Sequence, residues 1–265
     1  PSLPEAPVTT PYVLVQRSGP IARVTLDRPE RRNPLSLRMM REATAAIRDL
    51  GDDPSCGVVV VTGSGPALSA GHEIGEMIDR TLDEEREVFD TCVELMESIQ
   101  AIRQPVIAEV QGHAIAAGCQ LVATCDLAVA VDTARFGTPG VRIGLFCSTP
   151  MVAVSRNIGR KRALQMLLTG ETIDAATAVE WGLVNEAVPA DRLRARVDEL
   201  ATRIADASPL TLQIGKQAFY RQIDLPQGEA YREMAGTMAT NAVTCDAQEG
   251  MTAFLDKRAP QWRGE

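Results

Sequence analysis

Three short runs of apolar, largely β-branched residues govern what this chain can become: Val58–Thr62, Val106–Val110 and Leu127–Val131. Each is nearly continuous rather than alternating, as expected of strands covered on both faces. Helical patterns lie between and around them. Ser36 is well placed as an N-cap; after it Leu37, Met40, Ala43, Ile47 and Leu50 share one face, and Gly51 supplies a stop. A longer helix opens on the Thr81…Glu84 capping pattern, carries a stripe of Val88, Cys92, Leu95, Ile99 and Ile102, and is ended by Pro105. Strand, helix, strand, helix, strand in this rhythm means parallel strands joined by crossovers, so the expected class is α/β.

The flanks differ. Tyr12–Val15 and Ile21–Leu26 around "RSGP" read as a β-hairpin, and "DRPERRNPLS" and "GSGPALSAG" read as loops. After about residue 150 strands nearly vanish. Arg160–Leu168 and Asp174–Trp181 read as helices with Gly182 as a stop, "LVNEAV" as a short strand, and Leu193, Val197, Leu200 and Ile204 as one face of a further helix. Three more helical segments follow, separated by "SPL", "DLPQ" and "TCD". The Pro-rich opening, residues 1–11, reads as a disordered lead-in without a signal peptide, which leads to the expectation of a cytoplasmic protein.

Composition excludes several classes. A net charge of −8 argues against a nucleic-acid surface, so an anionic ligand must be met by local basic residues. Runs such as Val58–Val61 are too short to span a bilayer. The 6 cysteines include no CxxC and the 2 histidines sit near no cysteine pair, so buried reduced thiols are expected and a metal site is not. "GSGPAL" lacks the lysine of a P-loop and the last glycine of a dinucleotide fingerprint, and Ser69 has no GxSxG context.

Two loops that follow buried strands are lined with small residues: "SAGHEI" (Ser69–Ile74) and "AIAAG" (Ala114–Gly118), the second entering a helix. The first turn of a helix offers unpaired N–H groups and the positive end of its dipole. With a second N–H from the neighbouring loop, these could form a two-donor oxyanion hole. On spacing alone, close helix–strand packing is the better explanation of the same small residues.

The ordered set "LDRPERRNPLS", "VVVVTGSGPALSAGHEI", "QPVIAEVQGHAIAAGCQLVATCDLAVA", "FGTPGVRIGLF", "GRKRALQMLLTGETIDAATAVEWGLVNEAVP" and "QEGMTAFLDKRAPQW" resembles the enoyl-CoA hydratase/isomerase (crotonase) family from about residue 12 onward. Within it the nearest likeness is to the enoyl-CoA hydratase domain-containing proteins that carry "AAGCQL". The resemblance implies a crotonase-like ββα spiral core over 12–200 and a helical C-terminal trimerisation region over 201–265, assembling as a trimer or a dimer of trimers. It implies an acyl-CoA thioester ligand from fatty acyl-CoA metabolism, with CoA entering as part of the substrate and no separate cofactor.

Matched residue by residue, the resemblance gives the two oxyanion amides to His72 and Ala117, the latter where the family usually has glycine. Arg31 and Arg32 fall at the nucleotide end of CoA, and Ala70, His72, Glu73 and Ile74 where backbone meets adenine and pantetheine. Phe254 and Lys257 fall in a C-terminal motif that often reaches a neighbouring subunit's CoA. At the two positions where hydratases carry proton-transfer glutamates, this chain has Gln120 and Gly140. A glutamine amide orients water but does not take its proton, and glycine offers nothing; such general acid–base help is commonly worth about 10²–10⁴ in rate. Efficient hydration by the usual route is therefore not expected. Three readings follow: an enzyme with its acid/base moved to His72, His113, Glu73, Glu76 or Cys147; a catalytically silent acyl-CoA binder; or a residual hydratase or isomerase in which Gln120 positions water.

Overall fold

The computed structural model describes residues 10–265, so the first nine positions of the expected lead-in lie outside the described residues. The chain enters with the expected hairpin, β1 (Val13–Ser18) antiparallel to β2 (Ile21–Leu26). Helix α1 (Leu37–Asp52) follows, and Ser36 caps it by accepting from Met39 N. It runs one residue past Gly51, because the Asp53 N–H reaching back to the Leu50 carbonyl makes the stop instead.

From here the chain repeats one unit: a long strand, a three-residue strand, then a helix. β3 (Val58–Gly63) and β4 (Ala67–Ser69) lead to α2 (Leu82–Ala101), which opens on the expected Thr81–Glu84 capping box. β5 (Val106–Val110) and β6 (His113–Ile115) lead to α3 (Ala117–Thr124). β7 (Leu127–Val131) and β8 (Arg135–Gly137) lead to α4 (Ser148–Asn157), a helix with no counterpart among the expected elements. The rest is α5 (Arg160–Thr169), β9 (Thr172–Asp174), α6 (Ala175–Trp181), β10 (Glu186–Val188), α7 (Ala190–Ala205), α8 (Pro209–Gln222), α9 (Gln227–Ala242) and α10 (Cys245–Leu255). The boundary drawn at residue 200 falls inside α7.

Stacking these units makes a spiral. The long strands form one six-stranded sheet, β1-β2-β3-β5-β7-β10, parallel except for β1. The short strands form a second sheet, β4-β6-β8-β9, in which β9 alone runs antiparallel. The core fills with the valines of β3, the stripe of α2 and the alanines of β5 and β7. Small residues keep the turns of the spiral close: a side chain at Gly112 would strike the Pro66 carbonyl.

The C-terminal helices are fastened by a buried ion pair. Lys216 of α8 lies 2.8 Å from Asp126 and donates to the carbonyls of Ile99 and Gln104. Asp126 also accepts from Val106 N and from the Tyr220 hydroxyl, so α8 is tied to the ends of α2 and β5.

Candidate functional site

The site is built where two loops cross. One leaves β4 through Ala70, Gly71 and His72; the other leaves β6 through Ala116 into α3. Parallel pairing of β4 with β6 brings them side by side. Gly71 sits at φ +97°, and a Cβ there would lie 2.9 Å from the Ala116 Cβ and 3.5 Å from Ala117 N. At Gly118 any side chain would run into the Ser69 carbonyl. Close packing therefore accounts for the glycines, and what the packing leaves unpaired are two amides. Neither the His72 N–H nor the Ala117 N–H donates to a backbone acceptor among the described residues, and both residues line one cavity. Ala117 opens α3, so its amide sits at the positive end of that helix.

Ala116 carries the strain of this turn. It stands at φ 50°, ψ −116°, outside the regions a residue with a Cβ adopts readily, at a cost of about 1–3 kcal/mol. The Ala116 N–H is held by the Gly137 carbonyl at 2.8 Å, so β8 keeps the turn in place.

The cavity has a volume of ≈ 560 Å³. Ile74, Phe89, Ile115, Leu145 and Phe146 give it an apolar wall suited to an aliphatic chain. Ala70 and Gly140 line it too. The ionisable side chains on its wall, among the described residues, are His72, Arg142 and Cys147, with no carboxylate.

Of the five candidates for a moved acid or base, two therefore lie on the wall. His72 Nδ1 is 3.3 Å from the Leu35 carbonyl, its ring meets Phe89 edge-to-face at 5.5 Å, and its Nε2 is buried without a partner. Burial pushes its pKa down, against the pull of the Leu35 carbonyl and of the charge on Glu76. Cys147 is 7% exposed; burial pushes its thiol up, and the Gly140 N–H draws it back only in part. His113 is exposed at the start of β6, off the wall. Glu76 accepts from Leu37 N at 2.9 Å and so caps α1, while Glu73 pairs with Arg31 at 3.0 Å.

The two positions that would carry glutamates are placed differently. Gln120 does not line this cavity. It faces the adjoining hollow of ≈ 300 Å³ between α2, α3 and α4, beside Glu97 and Arg156, and its Oε1 lies 3.9 Å from the Cys92 thiol. Gly140 is on the cavity wall, but a Cβ there would collide with the Leu145 carbonyl and lie 2.8 Å from Cys147 Sγ. The space for a side chain at 140 is already filled.

Arg31 and Glu73 are brought together as an ion pair, neither of them on the cavity wall; Arg32, in a left-handed conformation, is exposed next to Arg31 in the chain. Phe254 is 83% exposed on α10 and Lys257 follows just beyond; neither touches this chain's cavity. Sequence reasoning passed over Asn33, which ties the loop after β2 to the loop before β4. Fully buried at φ 52°, it accepts from Arg28 N and donates to the carbonyls of Ser64 and Ala67. An asparagine directly before proline, between two loops, was the available signal, since asparagine tolerates the left-handed region.

Comparison with known proteins gives concordant results. The sequence profile of the enoyl-CoA hydratase/isomerase family matches residues 16–265. Enoyl-CoA hydratase domain-containing protein 3, mitochondrial, of Xenopus laevis is 43% identical over 254 residues, covering 96% of this chain and 86% of that one. A crystal structure of an enoyl-CoA hydratase from Mycobacterium smegmatis superposes with a TM-score of 0.93 at 42% identity, covering 96% of this chain and 99% of that one. The human enoyl-CoA hydratase domain-containing protein 3 crystal structure gives 0.93 and 42%, covering 95% and 100%.

Proposed function

The chain belongs to the enoyl-CoA hydratase/isomerase family, and from that premise we propose that it binds an acyl-CoA thioester and stabilises its enolate between the amides of His72 and Ala117. The carrying observation is the pair of unpaired N–H groups on one apolar cavity, set by the crossing at Gly71. Two donors fixed where negative charge develops lower the barrier to removing an α-proton or adding to a β-carbon, because they need no reorganisation. Arg31 and Arg32 supply local positive charge for the phosphates of CoA on an otherwise acidic chain. CoA enters as part of the substrate, which fatty acyl-CoA metabolism supplies.

Hydration by paired carboxylates is not part of this proposal. The cavity wall has no carboxylate among the described residues, and that observation favours a second reading, a catalytically silent acyl-CoA binder. Exposed apolar side chains on the C-terminal helices, Tyr231, Met238, Phe254 and Leu255 among them, support self-association as a trimer or dimer of trimers, in which Phe254 and Lys257 would approach a neighbour's CoA.

Calorimetry with butyryl-CoA, followed by NMR of its α-protons in deuterated buffer, tests both readings. Binding with α-proton exchange faster than in free thioester supports the enolate reading. Binding without faster exchange leaves the silent binder, and absence of binding overturns both.

A further inference from the structure

We propose that the hollow faced by Gln120 is the far half of the acyl subsite, where the Gln120 amide reads a hydroxyl at the end of the acyl chain. This rests on the acyl-CoA reading above and adds to it a preference for hydroxylated acyl groups. The two hollows adjoin at Thr149, which lines both. From there the same helices carry the walls onward by single turns. α2 passes from Phe89 on the cavity to Val93 and Met96 on the hollow, and α3 passes from Ala117 to Gln120. Between Ala117 and Thr124 the axis of α3 rises about 10 Å. A medium-length acyl chain held by its carbonyl at Ala117 spans that distance.

The side chains of the hollow say what the chain should carry at its end. Gln120 is 4% exposed, so it sits inside the protein rather than on its surface. The Cys92 thiol donates to its Oε1 at 3.9 Å, which settles the direction in which the amide points. Its Nε2 donates to no group among the described residues and, unlike His72 Nε2, is not sealed off by its surroundings. A buried N–H without an acceptor costs free energy until a partner arrives, and the hollow is where this residue lies open to one. The Thr124 hydroxyl is already spent on the Gln120 carbonyl.

Charge decides between kinds of oxygen. The hollow carries one carboxylate, Glu97, and one guanidinium, Arg156, so the two signs balance. That balance favours a neutral hydroxyl over a terminal carboxylate, which would need a surplus of cations. Val152 and Ala153 of α4 complete an apolar lining for the methylenes that lead up to it.

Calorimetry with octanoyl-CoA and ω-hydroxyoctanoyl-CoA tests this, with butyryl-CoA as the ligand too short to reach the hollow. In the parent the hydroxylated thioester should bind at least as tightly as octanoyl-CoA. Gln120→Leu keeps the bulk and removes the amide. There the hydroxylated thioester should fall behind, the ratio of the two affinities moving by about two- to tenfold, the worth of one hydrogen bond between neutral groups. Ala153→Phe fills the hollow from α4 and should weaken octanoyl-CoA selectively over butyryl-CoA, with thermal melts confirming that both variants are folded. A parent that prefers octanoyl-CoA, or an unchanged ratio in Gln120→Leu, overturns the proposal. So does equal weakening of octanoyl-CoA and butyryl-CoA in Ala153→Phe, or tighter binding of the octanedioyl thioester than of the hydroxylated one. In each case butyryl-CoA binding leaves the acyl-CoA reading intact, and failure of butyryl-CoA to bind overturns both.

Discussion

At the scale of single residues, His72 faces two ways: its amide is the proposed contact to a thioester, and its ring packs against Phe89 and the Leu35 carbonyl. Burial lowers the pKa of the ring below its ordinary 6.5. Between the folded value and 6.5 the unfolded chain binds more protons, so the contribution of neutral His72 is complete above 6.5 and is lost as pH falls through the folded pKa. Thermal midpoints measured from pH 7.5 to pH 5 should therefore fall less steeply in His72→Asn than in the parent; equal slopes would contradict the assignment. The residues of this site were only partly legible in sequence. The loops bearing His72 and Ala117 announced themselves by small residues and by their motifs. Where Gln120 faces, and the filling of the space beside Gly140 by Leu145 and Cys147, depend on the path of a loop that no spacing encodes.

Secondary-structure elements were readable in proportion to their length. The three apolar runs became β3, β5 and β7 because β-branched residues buried on both faces leave a strong pattern. β4, β6 and β8, three residues each, leave none, and they are what bring the two loops of the site together. The segment 113–126 shows the difference: pairing in the second sheet takes His113–Ile115, so the helix is shorter than its apolar run and Cys125 ends it as a cap. The Lys216–Asp126 pair was equally hidden, since its partners lie far apart in sequence and neither stands in a charge pattern. Removing one member of a buried pair strands the other. Lys216→Ala should cost about 3–5 kcal/mol, read as a lower denaturant midpoint, because Asp126 keeps its bonds from Val106 N and the Tyr220 hydroxyl but loses its cation. A change under 1 kcal/mol, on the order of a surface pair, would show that α8 is held by other contacts.

For the molecule as a whole, the C-terminal third is the part that does not complete itself. α9 buries no residue, and Phe254 and Leu255 of α10 stand open to solvent. Light scattering coupled to size exclusion should report a mass of three or six chains, and the double variant Phe254→Asp, Leu255→Asp should shift it toward one; a monomeric parent would refute the assembly. Gly140 bears on the molecule's engineering. With the Leu145 carbonyl in the space a side chain would need, Gly140→Glu installs an acid only by displacing backbone, and Gln120→Glu would deliver its carboxylate to the neighbouring hollow. Neither substitution by itself sets a carboxylate on the cavity wall without moving backbone. Gly140, Leu145 and Cys147 are sterically coupled, so a designer who wants water chemistry here must replace the loop that carries them as one piece.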